Sequence, residues 1–113
     1  MSFKVKESYN SVVIELKGKL VGGPLSSEIG KTLHDLLDKG KKNVVMDLGD
    51  LSFVNSSGLG ILISGLATMK NGGGDLKLAN ISNKIEGLLS ITKLNKIFEQ
   101  YITVEDAVKS YGR

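Results

Sequence analysis

The chain has 113 residues, 41% of them apolar and 24% charged, which suits one globular domain with a single hydrophobic core. Cysteine is absent, which excludes disulfides, thiolate metal sites and thiol catalysis and fits a reducing compartment. The net charge of +3 comes from 15 basic and 12 acidic residues, well mixed along the chain. The densest basic run, KGKK at Lys39–Lys42, has no aromatic residues interleaved and reads as a solvated turn rather than a nucleic-acid footprint.

The opening MSFKVKESYN has no apolar core behind a basic segment, so it does not read as a signal peptide. No apolar run approaches the roughly 20 residues of a membrane span. A cytoplasmic protein without membrane or nucleic-acid partners is expected. Phe3, Val5 and Glu7 alternate with Lys4, Lys6 and Ser8, the pattern of a half-exposed strand. SVVIELKG (Ser11–Gly18) predicts a stronger strand, with Tyr9 and Asn10 turning the chain between the two. Gly22 and Gly23 break the extended run, and Pro24 suits a first helical turn because it lacks only a hydrogen that is unpaired there anyway. Leu25, Ile29, Leu33, Leu36 and Leu37 share one face of the helix that follows, and Gly40 stops it.

NVVMDLGD (Asn43–Asp50) reads as a buried strand that stays extended to Val54. Beyond it, Leu59, Leu62, Ile63 and Leu66 mark the inner face of a helix that ends at NGGGD (Asn71–Asp75). LKLAN (Leu76–Asn80) predicts another strand. A helix then starts near Ser82 or Asn83, with Glu86 as a capping partner and Ile85, Leu88 and Leu89 inside. A short strand around Phe98–Ile102 precedes a last helix from Thr103. Residues 1–113 are therefore expected to form a single α/β domain: a mixed sheet with an N-terminal antiparallel hairpin, later strands parallel, packed with about four helices.

The unusual stretch is FVNSSGLGIL (Phe53–Leu62), where an apolar strand meets an amide, two hydroxyls and two glycines. Asn55 and Ser56 are both good N-cap residues, so the stretch falls at a strand-to-helix junction at the carboxyl end of the sheet. Gly58 and Gly60 remove side chains around the first turn. With Ser64, Gly65 and Ala67 they give the helix a small-residue flank suited to a docking partner. The bland alternative is an ordinary helix start, with one serine capping and the glycines allowing tight packing.

Enzymatic readings fare poorly. N-S-S-G is not the G-x-S-x-G elbow of hydrolases, and the single histidine, His34, falls on the wet side of its helix beside Lys31, Asp35 and Asp38. No Gly-Lys-Ser/Thr follows either glycine cluster, so a nucleotide phosphate loop is excluded. One histidine and no carboxylate cluster leave no basis for a metal site, and no cofactor is expected.

MDLGDLSFVNSSGLGIL (Met46–Leu62) resembles the signature of the anti-sigma factor antagonists, built on the STAS domain, in which a strand and a loop bearing Asp-Ser-Ser/Thr/Ala-Gly-Leu-Gly lead into a helix. GGGDLKLANIS and LLSITKLNKIF extend the match along nearly the whole chain. The resemblance implies a bacterial regulatory binding protein, not an enzyme. Unphosphorylated, such a protein captures a serine kinase that doubles as an anti-sigma factor and so frees the sigma factor for transcription. Phosphorylation breaks that association, and a metal-dependent serine phosphatase reverses it. By position the acceptor is Ser56, with Ser57 in a slot that tolerates other residues.

The expected docking surface comprises Asn55, Ser56, Ser57 and Gly58, the exposed side of the following helix at Gly60, Ile61 and Ser64, and the turn Val21, Gly22 and Gly23. A monomer or weak dimer is expected. Two positions depart from the family pattern: Asn55 stands in the aspartate's place, and GKLV (Gly18–Val21) replaces an acidic turn. A partner kinase with different charges accommodates both departures. So does a member that binds without being phosphorylated, such as an interaction subunit of a transporter or stress-signalling scaffold.

Overall fold

A computed structural model describes residues 2–8 and 10–112. The elements in order are β1 (Ser2–Glu7), β2 (Val12–Leu20), α1 (Pro24–Asp38), β3 (Asn43–Val54), α2 (Ser56–Asn71), β4 (Asp75–Ala79), α3 (Asn83–Ile91), a short 3-10 turn (Leu94–Lys96), β5 (Gln100–Tyr101) and α4 (Val104–Ser110). The five strands form one sheet in the order β1-β2-β3-β4-β5. β1 pairs antiparallel with β2, and β2 through β5 run parallel. The mixed α/β fold expected from the hydrophobic periodicities is therefore present. Tyr9, expected in the first turn, lies outside the described residues.

Side-chain alternation divides the sheet into two unequal faces. Val12, Ile14 and Leu16 of β2, Val44, Met46 and Leu48 of β3, and Leu76 and Leu78 of β4 face the main core, covered by α1, α2 and α3. The opposite face carries Val13, Val45 and Ala79, which Ala107 of α4 covers with Tyr101, Val104, Val108 and Tyr111 around it. This second cover explains why β3 reads as a continuous apolar run rather than an alternating one. Lys77 lies on this back face and is only 6% exposed. Its ammonium accepts no bond but donates to Ser110 Oγ at 2.9 Å, pairs with Glu99 at 3.3 Å and sits 4.1 Å from the centre of the Tyr111 ring. Together these contacts clasp α4 to the sheet.

β2 and β3 part company toward their ends. Glu15 pairs with Asp47 and Leu20 with Val54, so five steps along β2 oppose seven along β3. The two extra residues are accommodated at bulges between Glu15/Lys17 and Gly18/Lys19. An even number of insertions keeps Leu20 and Val54 buried at the end of the strands.

The helix starts follow from local chemistry. Pro24 occupies the first turn of α1 as expected, and Ser82 and Thr103 cap α3 and α4 by accepting from the backbone N–H groups of Ile85 and Asp106. Other expectations need correction. Ile63, assigned to the inner face of α2, is 41% exposed, whereas Ile61 is buried. The cause is that α2 packs on α1 as well as on the sheet: a Cβ on Gly65 would lie 3.2 Å from Leu33 Cδ1, and Ile61 lines the same seam between the helices as Ile29. β5 is shorter than Phe98–Ile102: Phe98 is buried ahead of it, and Ile102 beyond it is exposed.

Candidate functional site

β3 ends at Val54, and the chain turns into α2 through Asn55, whose backbone is extended (φ −109°, ψ −176°). Three hydrogen bonds fix this residue. Its N–H donates to Leu20 O at 3.3 Å, its C=O accepts from Leu59 N at 2.9 Å, and its side-chain Oδ1 accepts from Gly58 N at 2.9 Å. Asn55 is thus the N-cap, and Ser56 is the first helical residue. An asparagine supplies the same capping oxygen as an aspartate without the charge.

Gly58 packs the helix start onto the end of β2. A Cβ at this position would lie 1.9 Å from Leu20 O, so no side chain fits. The β2–α1 turn closes over the same region. Gly22 adopts φ +95°, a left-handed conformation that favours glycine, and a Cβ there would lie 3.0 Å from Ser57 Cβ. The turn Val21–Gly23 and the segment Asn55–Gly58 are therefore neighbours, as the sequence reading anticipated.

Ser56 and Ser57 are both exposed, but a Cβ on Gly22 would meet Ser57 and not Ser56 within 4 Å. Val21, Gly23, Gly60 and Ser64 are also exposed, and a Cβ on Gly60 would meet nothing within 4 Å. Two members of the expected docking surface are corrected. Ile61 is buried at the α1–α2 seam and cannot present a side chain to a partner. Gly58 is buried too, so its smallness serves the approach to Leu20. The packing reading of the glycines holds for Gly58 and Gly65, whereas Gly60 packs against nothing and lies open on the helix surface.

The strand end is flanked by cations. Lys19 lies opposite Phe53 in the β2–β3 register, and Lys84 of α3 holds its ammonium 5.9 Å from the Phe53 ring. His34 is exposed ten residues along α1 from Pro24, about 15 Å by helical rise, and is not a base for either serine. Among the described residues no group of three or more His, Cys, Asp or Glu side chains could hold a metal ion. No helix there is long and apolar enough to cross a membrane. The sequence reading missed Phe53 as a surface residue. The residue pattern marks it only as the end of an extended segment, and it is 42% exposed beside the motif.

What the geometry defines is a small α/β module presenting a free hydroxyl on a braced helix start. The chain belongs to the STAS domain family, whose profile matches residues 2–107. The anti-sigma-B factor antagonist of Bacillus subtilis is 30% identical over 97 residues, covering 84% of this chain and 85% of that protein. Among solved structures, TM1081 of Thermotoga maritima, a candidate anti-sigma factor antagonist, superposes with a TM-score of 0.83 at 26% identity, over 96% of this chain and 92% of that one. SpoIIAA, at 21% identity, shares the fold in its unphosphorylated form (TM-score 0.72, 97% of each chain). It does so also in its phosphorylated form (TM-score 0.74, 98% of this chain and 100% of that one).

Proposed function

We propose that this protein is an anti-sigma factor antagonist. Unphosphorylated, it captures a serine-kinase anti-sigma factor and so releases a sigma factor, and phosphorylation of Ser56 ends the capture. The observation that carries this reading is the exposure of Ser56 at the first position of α2, on a junction braced by Asn55, Leu20 and Gly58. The relatedness to proteins named for the same role supports it.

The physics of such a switch is local. A phosphoserine adds about −1.5 to −2 charges and three strong acceptors. Within the domain, the unpaired amides at the start of α2 and the helix dipole tolerate it, and no carboxylate at residue 55 opposes it. In a docked interface the same group must shed its water or meet the partner's own charges. A full swing from bound to free needs only about 5.5 kcal/mol of differential affinity. The domain itself need not rearrange.

The test is incubation with the cognate kinase and ATP. Ser56→Ala takes up no phosphate and still binds the anti-sigma factor, Ser57→Ala is phosphorylated normally, and a metal-dependent serine phosphatase restores binding to the phosphorylated parent. Phosphate uptake by Ser56→Ala equal to the parent overturns the assignment. The uncharged Asn55 and the Gly18–Val21 segment favour one second reading, a subunit that binds constitutively within a transporter or stress-signalling scaffold. Co-purification with a transporter ATPase, and no phosphate uptake at any serine, marks that outcome.

A further inference from the structure

A groove of about 360 Å³ lies between the last four residues of β3 (Leu51–Val54) and α3. Its walls are apolar, formed chiefly by Leu51, Phe53, Ile85, Leu88 and Ile91, and its one charged wall residue is Lys84. Phe53 is 42% exposed and Ile91 82% exposed. Large apolar side chains left open together beside a polar rim mark a binding surface more often than chance exposure does. Nothing in the Ser56 switch uses them.

We infer that this groove is a second anchor for the protein that docks at Ser56, receiving an apolar side chain flanked by a carboxylate. The inference rests on the function proposed above. Continuity with the serine is the first argument. Phe53 and Ser56 are three residues apart, which places them at most about 10 Å from each other, the span of a fully extended chain. A standard interface covers about 800 Å² per partner, a patch of about 16 Å radius. A protein centred on Ser56 therefore reaches the groove. Charge is the second argument. Lys84 stands at the mouth, with its ammonium 5.9 Å from the Phe53 ring, and calls for an anion beside the inserted apolar group.

The same lysine argues against a second copy of this chain. A two-fold contact through the groove brings the same patch of each copy together, setting one Lys84 against the other in a shared apolar site. A partner of different sequence escapes that repulsion. The groove and the serine then divide the work: the aromatic and aliphatic anchors hold the partner, and the hydroxyl decides whether it stays. Loss of the groove weakens unphosphorylated and phosphorylated complexes by the same factor, whereas loss of the hydroxyl removes the difference between them.

Gly87 offers a way to test this without deleting a contact, because it lines the groove and a Cβ there meets nothing within 4 Å. Calorimetry with the purified cognate anti-sigma factor is the readout, on variants first shown to melt like the parent. Phe53→Ser and Ile91→Ser each lower affinity about tenfold. Gly87→Trp fills the groove and lowers it at least as much, while Gly87→Ala leaves it unchanged. Lys84→Gln lowers it and removes the salt sensitivity this site contributes, and Lys84→Glu lowers it further and reverses the sign of that sensitivity. Parent affinity in Gly87→Trp and Ile91→Ser overturns the groove assignment and leaves the Ser56 reading intact. Failure of the parent itself to bind overturns both. A concentration-dependent dimer, seen by sedimentation and removed by Ile91→Ser, assigns the groove to a second copy and overturns the inference.

Discussion

Gly58 and Leu20 approach so closely that a Cβ on residue 58 would stand 1.9 Å from the Leu20 carbonyl oxygen. The obstacle is backbone, which cannot rotate away as a side chain would. Gly58→Ala therefore must lift the start of α2 off β2, at a cost of about 3 kcal/mol or more. Gly60→Ala, two residues on, enters open space in a helix and gains about 0.5–1 kcal/mol. Urea titration of the two variants separates them by sign. Equal stabilities refute the close approach.

Asn55 has the single side-chain bond that caps α2, to Gly58 N at 2.9 Å. Asn55→Ala leaves that amide unpaired and costs about 1 kcal/mol. Asn55→Asp keeps the acceptor and places a negative charge at the positive end of the helix dipole, adding about 0.3–1 kcal/mol at low ionic strength. Thermal melts at low and high salt show whether the gain is electrostatic. It shrinks as salt rises.

Tyr111 holds α4 against the sheet, donating its hydroxyl to Val44 O at 2.6 Å. Burial first, then the carboxylate of Asp75, push this phenol well above its usual 10.0. A group whose ionisation is suppressed by folding favours the folded state fully below its unfolded value and loses that contribution as pH rises above it. Stability should therefore fall above about pH 10 as the unfolded chain ionises and the folded one does not. Tyr111→Phe flattens this alkaline limb, at a cost near neutral pH of about 1 kcal/mol for the lost bond. Denaturant midpoints between neutral and alkaline pH check both effects.

Glu99 behaves in the opposite sense. The Tyr101 hydroxyl donates to it at 2.8 Å, and Lys77 lies within ion-pair distance, so its carboxyl sits below the ordinary 4.5. A depressed carboxylate contributes above its unfolded value and ceases to contribute as pH falls through its folded one. The Glu99→Gln variant should therefore match the parent in strong acid and fall below it above about pH 4.5. Because Glu99 is 56% exposed, the difference is small, less than about 1 kcal/mol. Paired midpoints on either side of the carboxylate range measure it.

Much of this organisation is legible in residue order, because strong signals coincide. Pro24 after two glycines, the Leu25–Leu36 stripe and the buried run of β3 each specify one element by local physics, and the strand–helix alternation then restricts the topology. The failures have a common source in tertiary packing. Ile61 and Ile63 differ by two positions on one helix, and periodicity cannot tell which turns toward α1 until α1 is in place. Lys77 looks like an exposed strand residue, since its aromatic surroundings come from Tyr101 and Tyr111 at the far end of the chain. Phe53 reads only as a strand end, since nothing local reveals that α3 stops short of covering it. The serine junction was easier to find: capping chemistry is carried by neighbours in sequence.

The unequal lengths of β2 and β3 give the strand end a parity of its own. Delete a single residue between Asp47 and Val54 and every side chain downstream changes sides. Phe53 would then plunge toward the core, Val54 would swing out to water, and the serine would be carried round with the helix it begins. Family members free to vary the composition of this segment are therefore not free to vary its length by one. A shortened natural homologue should lack either two residues there or the aromatic at its tip.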